Sequence, residues 1–145
     1  MRRILFATLV LLFTLFYGTS DLHAQEKMGG SSWGDSQKAV KDVHGYPLYA
    51  DEESMLYTGT YDEFEVFILF LFENGELYAI GYLFPYEVNE VYIRIAGEYG
   101  RPDMKQGGTN LWTKIFPDTV LAHVSKPFDD YPTQVMLMSR KHFTR

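Results

Sequence analysis

Apolar residues run unbroken from Val66 to Phe72, inside the stretch FEVFILFLFENGELYAIGYLF at 64–84. A seven-residue helix rises only ~10 Å, far short of a ~30 Å hydrocarbon core. As a strand the same run extends ~24 Å, a normal length in a small sheet. Asn74-Gly75 supplies the two positive φ angles of a type I′ turn, so the pattern predicts a hairpin of strands 64–72 and 76–84. That turn sets Glu73 opposite Glu76, a like-charge pair suited to a solvated hairpin end. With uninterrupted pairing, one face carries Val66, Ile68, Phe70 and Phe72 opposite Leu83, Gly81, Ala79 and Leu77. Large groups there meet small ones, which leaves room for a helix layer. The other face pairs Phe67 with Tyr82, Leu69 with Ile80, Leu71 with Tyr78 and Glu65 with Phe84. A solvated antiparallel face alternates to polar, and this one does not. A sheet that curls on itself, cover by the leader or a loop, a second copy of the chain and a different protein partner each account for such a face; for a partner, Phe67, Leu69, Tyr78, Tyr82 and Phe84 are the expected recognition patch.

The remaining chain reads as two helices and further strands. Asp35 or Ser36 caps a helix with the stripe Ala39, Val40 and Val43, stopped by Gly45 with Pro47 beyond. Trp33 is placed to fold back on its first turn as a hydrophobic staple. A strand follows near 54–60. A second helix spans about 87–99, with Val88, Val91, Tyr92, Ile95 and Tyr99 on one face and Gly100 and Pro102 at its end. Strands are expected near 110–116, 119–125 and 133–139, with turns at Pro117-Asp118 and Asp129 to Pro132. Lys105 to Asn110 (KQGGTN) has two glycines but lacks the phosphate-loop pattern, and reads as a flexible loop.

The halves correspond at an offset of 55: Gly45 with Gly100, Pro47 with Pro102, Leu56-Tyr57-Thr58 with Leu111-Trp112-Thr113, and Tyr61 with Phe116. The expected fold class is α+β. Two αβββ repeats, 33–86 and 87–145, form an antiparallel sheet with helices packed on one face.

Gly34-Asp35-Ser36, Val40, Gly45-Tyr46-Pro47, an aromatic strand and Phe72-Glu73-Asn74-Gly75-Glu76-Leu77 occur in an order that resembles the SmpA/OmlA (BamE-like) envelope module. That module is in turn similar to the tandem units of β-lactamase inhibitor proteins. In the second half the Gly100-Arg101-Pro102 stop and Trp112 match the pattern, whereas a Gly-x-Ser helix start is lacking, and so is the lipoprotein cysteine of the envelope-assembly members. The resemblance implies protein–protein binding at the bacterial cell envelope, without catalysis.

The 145-residue chain opens with Arg2 and Arg3, an apolar run Ile4 to Tyr17, and Leu22-His23-Ala24. This is the layout of a cleaved signal peptide over 1–24, so the protein is expected to be exported, periplasmic or extracellular. Residues 25–32 (QEKMGGSS) read as a flexible leader. The formal net charge of −6 argues against nucleic acid and anionic lipid as partners. The basic cluster Arg140, Lys141, His142 and Arg145 reads as a solvated tail. Cysteine is absent, so the fold rests on its apolar core.

No catalytic set emerges. His44 reads as a cation at a helix end, and His123 sits mid-strand with no spaced partner of zinc-site type. Glu52-Glu53, Asp62-Glu63 and Asp129-Asp130 lie at turns as adjacent pairs, not as the alternating oxygen ligands calcium needs. No cofactor or metal is expected. The partner is expected to be a protein or a second copy of the chain, with a small lipid or aromatic ligand held by Phe67, Leu69, Tyr78 and Tyr82 as the other reading.

Overall fold

The computed structural model describes residues 28–125 and 130–144. The signal segment and the first residues of the leader fall outside them. The chain order is α1 (Gln37–His44), β1 (Tyr49–Ala50), β2 (Ser54–Tyr61), β3 (Phe64–Glu73), β4 (Glu76–Phe84), α2 (Asn89–Tyr99), β5 (Met104–Gln106), β6 (Thr109–Trp112), β7 (Thr119–Val124), β8 (Thr133–Ser139) and α3 (Arg140–Phe143). All eight strands join one antiparallel sheet in the order β1-β2-β3-β4-β8-β7-β6-β5. The α+β class with an antiparallel sheet is as expected. Each half, however, carries four strands. The short edge strands β1 and β5 escape a periodicity reading because two or three residues are too few to alternate.

Local chemistry accounts for the helix ends. The Ser36 hydroxyl accepts from the Ala39 amide at 3.1 Å, and Gly45, at φ 81°, ends α1 by donating its amide to the Lys41 carbonyl. Gly100 (φ 82°) does the same for α2 onto Ala96. Asn74 and Gly75 both adopt positive φ, as the hairpin requires, and Glu73 does stand opposite Glu76.

Both long helices pack on one face of the sheet. Val40 of α1 and Val91 and Ile95 of α2 share a buried cluster with Met55, Phe70, Phe72, Ile80, Phe84, Trp112, Leu121 and Leu137. Burying each of the larger side chains contributes about 2–3 kcal/mol. Trp33 packs against the core cluster that includes Val40 of α1. Its indole Nε1 donates to Thr119 Oγ1 at 2.9 Å, which ties the start of the described chain to β7. The stretch read as leader is packed from Met28 onward: Met28 and Ser31 are buried, and the Ser31 hydroxyl meets His44 Nε2 at 2.9 Å. His44 is accordingly no helix-end cation. Its ring lies 4.9 Å from Phe70, and burial lowers its pKa.

Of the C-terminal cluster, Arg140 and His142 are not part of a loose tail, and Arg145 lies outside the described residues. Arg140 Nε donates to the Pro117 carbonyl at 2.9 Å, and its Nη2 donates to the carbonyls of Phe116, at 2.6 Å, and Thr113. His142 stacks on Tyr78, with centroids 4.8 Å apart, and its Nε2 meets the Glu73 carboxylate at 2.7 Å. KQGGTN is likewise no free loop: it forms the tight β5–β6 hairpin, turning at Gly107 and Gly108.

Candidate functional site

The expected patch is split between the two faces of the sheet. Near the turn β3 and β4 pair as expected, Phe72 with Leu77. Leu71 then pairs with Ala79, so Tyr78 is an extra, unpaired residue. A bulge of one residue reverses which side chains share a face from that point on. Phe67 consequently stands opposite Leu83, and Leu69 opposite Gly81, while Tyr82 stands opposite Ile68. Tyr82 (8% exposed) and Phe84 (0%) lie in the core under the helices. Burial pushes the Tyr82 phenol up to about 12, and its ring sits 5.0 Å from that of Tyr61. Tyr78 turns to α3 and is occupied by His142. Of the five residues, only Phe67 and Leu69 remain together on the face away from the long helices. The helix layer covers Val66, Phe70 and Phe72 of β3, as expected, but in β4 it covers Ile80, Tyr82 and Phe84 in place of Ala79 and Gly81.

The outer face nevertheless has an apolar continuity that the hairpin alone could not reveal. One cross-strand row, Tyr49–Leu56–Leu69–Gly81–Met136–Ala122–Leu111–Met104, passes through every strand of the sheet. Each member is apolar or aromatic. At ~4.8 Å per strand step the row is about 34 Å long. Its ends, Tyr49 and Met104, are exposed; Leu56, Leu69, Met136 and Ala122 are half-buried. Gly81 gives the row its low point: a Cβ there would stand 2.8 Å from Met136 Sδ. Beside it, Phe67 meets Tyr131 edge-on at 5.9 Å and borders a hollow of about 460 Å³ with Thr58, Thr60 and Glu65.

On the helix side the second half holds a polar cleft that sequence reasoning missed. It measures about 410 Å³ and lies between the start of α2 (Glu87, Asn89, Tyr92) and the strand residues Lys105, Asn110, His123 and Thr133. Lys105, Asn110 and His123 occupy one cross-strand row. His123 is 3% exposed, and burial lowers its pKa, so the ring is neutral at pH 7. Asn110 Nδ2 lies 3.5 Å from its Nδ1, and Tyr92 tilts against the ring at 5.6 Å. The mid-strand position of a histidine on the core-facing register was the available signal. It reads as a plain core residue unless its strand partners are known.

Elsewhere the charged pairs are structural. Asp51 accepts from the Tyr49 hydroxyl and from the Glu53 and Ser54 amides, and these hydrogen bonds, the Tyr49 one foremost, lower its pKa. Arg94 spans Glu63 at 2.7 Å and Asp62 at 3.5 Å, joining α2 to the β2–β3 turn. Among the described residues no cluster of three or more metal-ligating side chains occurs, and no helix is long and apolar enough to cross a membrane. Compared with family models, with curated proteins and with solved structures, the chain matches none of them.

Proposed function

We propose that this chain is an exported, non-catalytic interaction protein of the bacterial cell envelope that docks a protein partner on the outer face of its sheet. The observation that carries the reading is the all-apolar row from Tyr49 to Met104 across eight strands. Gly81 and Leu111 of this row are buried and the other six members reach the surface at least in part, and an apolar patch of this kind characterises interaction sites. The contact set is centred on Leu56, Phe67, Leu69 and Met136. It replaces the earlier grouping of Phe67 and Leu69 with Tyr78, Tyr82 and Phe84. Carboxylates of Glu65 and Glu76 border the same hairpin, so the partner complements them with a basic rim.

A tandem of two αββββ units is the architecture we infer behind this surface. Support comes from contacts that recur at the offset of 55. Tyr57 Oη donates to the Gly45 carbonyl at 3.0 Å, and Trp112 Nε1 donates to the Gly100 carbonyl at 2.9 Å. The Leu48 amide donates to Leu56, and the Asp103 amide to Leu111. This arrangement accords with the resemblance to the SmpA/OmlA (BamE-like) module, and with it a role in envelope protein binding.

Leu69→Asp tests the docking face. The variant is expected to keep the far-UV spectrum and cooperative melting of the parent but to lose capture of the partner from an envelope fraction. Sedimentation of the parent separates a second copy of the chain from a different protein. Unchanged capture and unchanged oligomeric state in Leu69→Asp would remove the proposal.

A further inference from the structure

The cleft under α2 lies on the opposite side of the sheet from the docking face, so what it binds is a separate question. Two observations mark it as more than a packing gap. The first is a substitution between the halves, which rests on reading them as equivalent units. In the first half Met55 pairs with Phe70 across β2–β3, and both are fully buried in the core. The corresponding pair across β6–β7 is Asn110 with His123. Where one half has an apolar pair, the other has an amide and an imidazole lining a cleft of about 410 Å³.

The second observation is that the polar groups there are left available. His123 is 3% exposed, yet its only polar contact is the long one from Asn110 to Nδ1. Its other ring nitrogen has no hydrogen-bond partner among the described residues. That nitrogen is not fully sealed from solvent, and His123 lines the cleft, where a ligand can reach it. Lys105 and Glu87 both line the cleft, and neither forms an ion pair among the described residues. The first turn of α2, which also borders the cleft, has no side-chain cap; the Val88 amide at its start donates to Thr133 Oγ1 at 3.0 Å, and the turn carries Glu90.

We infer that this cleft binds a small zwitterion of amino-acid size, with its carboxylate toward Lys105 and the first turn of α2, its ammonium toward Glu87, and its side group against Tyr92. Asn110 and His123 form the polar floor, and the neutral imidazole accepts or donates one hydrogen bond to the ligand. The volume lies at the small end of ligand pockets and suits a molecule of this class rather than a lipid. A cleft lined by both an ammonium and a carboxylate favours a ligand that carries both charges over one that carries a single charge.

The test is an NMR titration of the whole chain, read at the ring resonances of His123 and Tyr92. The probes are glycine, L-leucine and L-phenylalanine, each to about 10 mM, where a millimolar ligand saturates. At least one is expected to shift both rings in a saturable manner. Its analogues lacking the ammonium or the carboxylate bind about tenfold more weakly or worse. Lys105→Gln and Glu87→Gln each weaken the parent ligand to a similar degree while leaving the melting temperature unchanged, since both side chains are exposed. Absence of saturable shifts with all three amino acids overturns the inference. So does equal binding of the singly charged analogues, or binding that neither variant alters. These outcomes are independent of partner capture by Leu69→Asp.

Discussion

Phe67 stands opposite Leu83 in the β3–β4 ladder, and the side chain that displaces the expected partner Tyr82 is the unpaired Tyr78. Everything beyond the bulge follows from that single extra residue. It sends Tyr82 and Phe84 under the helices and leaves Phe67 and Leu69 outside.

The bulged Tyr78 is held by its stack on His142. Removing either ring is expected to cost stability, and the pair to show a coupling of about 0.5–1.5 kcal/mol in a double-mutant cycle of Tyr78→Ala and His142→Ala. Denaturant melts measure it. A coupling of zero would mean that the stack does not anchor the bulge.

Gly81 sits beneath Met136, with 2.8 Å between a built Cβ and Sδ. Gly81→Val is expected to destabilise the fold by about 1–3 kcal/mol through overpacking. Met136→Ala in the same chain should recover much of that loss, because it removes the clashing atoms. Additive losses would show that the added side chain does not clash with Met136.

Arg140 holds three carbonyls of the 113–117 segment in the fork of one guanidinium. Arg140→Met is expected to cost about 3 kcal/mol, in the range for lost charge-assisted hydrogen bonds to partly buried acceptors. Arg140→Lys should recover little, since an ammonium lacks the planar fork. Full stability of the lysine variant would assign the effect to charge alone.

Burial lowers the pKa of both His44 and His123. The unfolded chain therefore binds more protons than the folded one once pH falls below the unfolded value of about 6.5. Their contribution is fully present above that value and is lost as pH drops from about 6.5 through the lowered folded values. The melting temperature should decline from pH 7 to pH 5, and less steeply in His123→Gln. Loss confined to pH below about 4 would point to the carboxylates Asp51, Glu63 and Asp103, whose pKa values are also lowered.

The features legible in the amino-acid order are those that single residues enforce. Ser36 and Gly45 bound α1, Gly100 ends α2, and Asn74-Gly75 turns the hairpin, because each position needs a side-chain acceptor or a positive φ. The bulge at Tyr78 was not legible, since nothing in Leu77-Tyr78-Ala79 distinguishes a skipped residue from a paired one. One slipped residue was enough to reassign most of the recognition patch. Arg140 and His142 looked like a solvated tail because their side-chain acceptors lie 21 or more residues away in the chain. The cleft was hidden for a related reason. Asn110 and His123 are 13 residues apart and meet only through the β6–β7 register.

The most direct measurement places a photo-crosslinking amino acid at position 69, at the centre of the outer face, or at position 93, on the exposed side of α2. The account predicts a specific crosslinked protein species from position 69 in an envelope preparation, and none from position 93. Crosslinking from 93 alone, or from neither position, would contradict it.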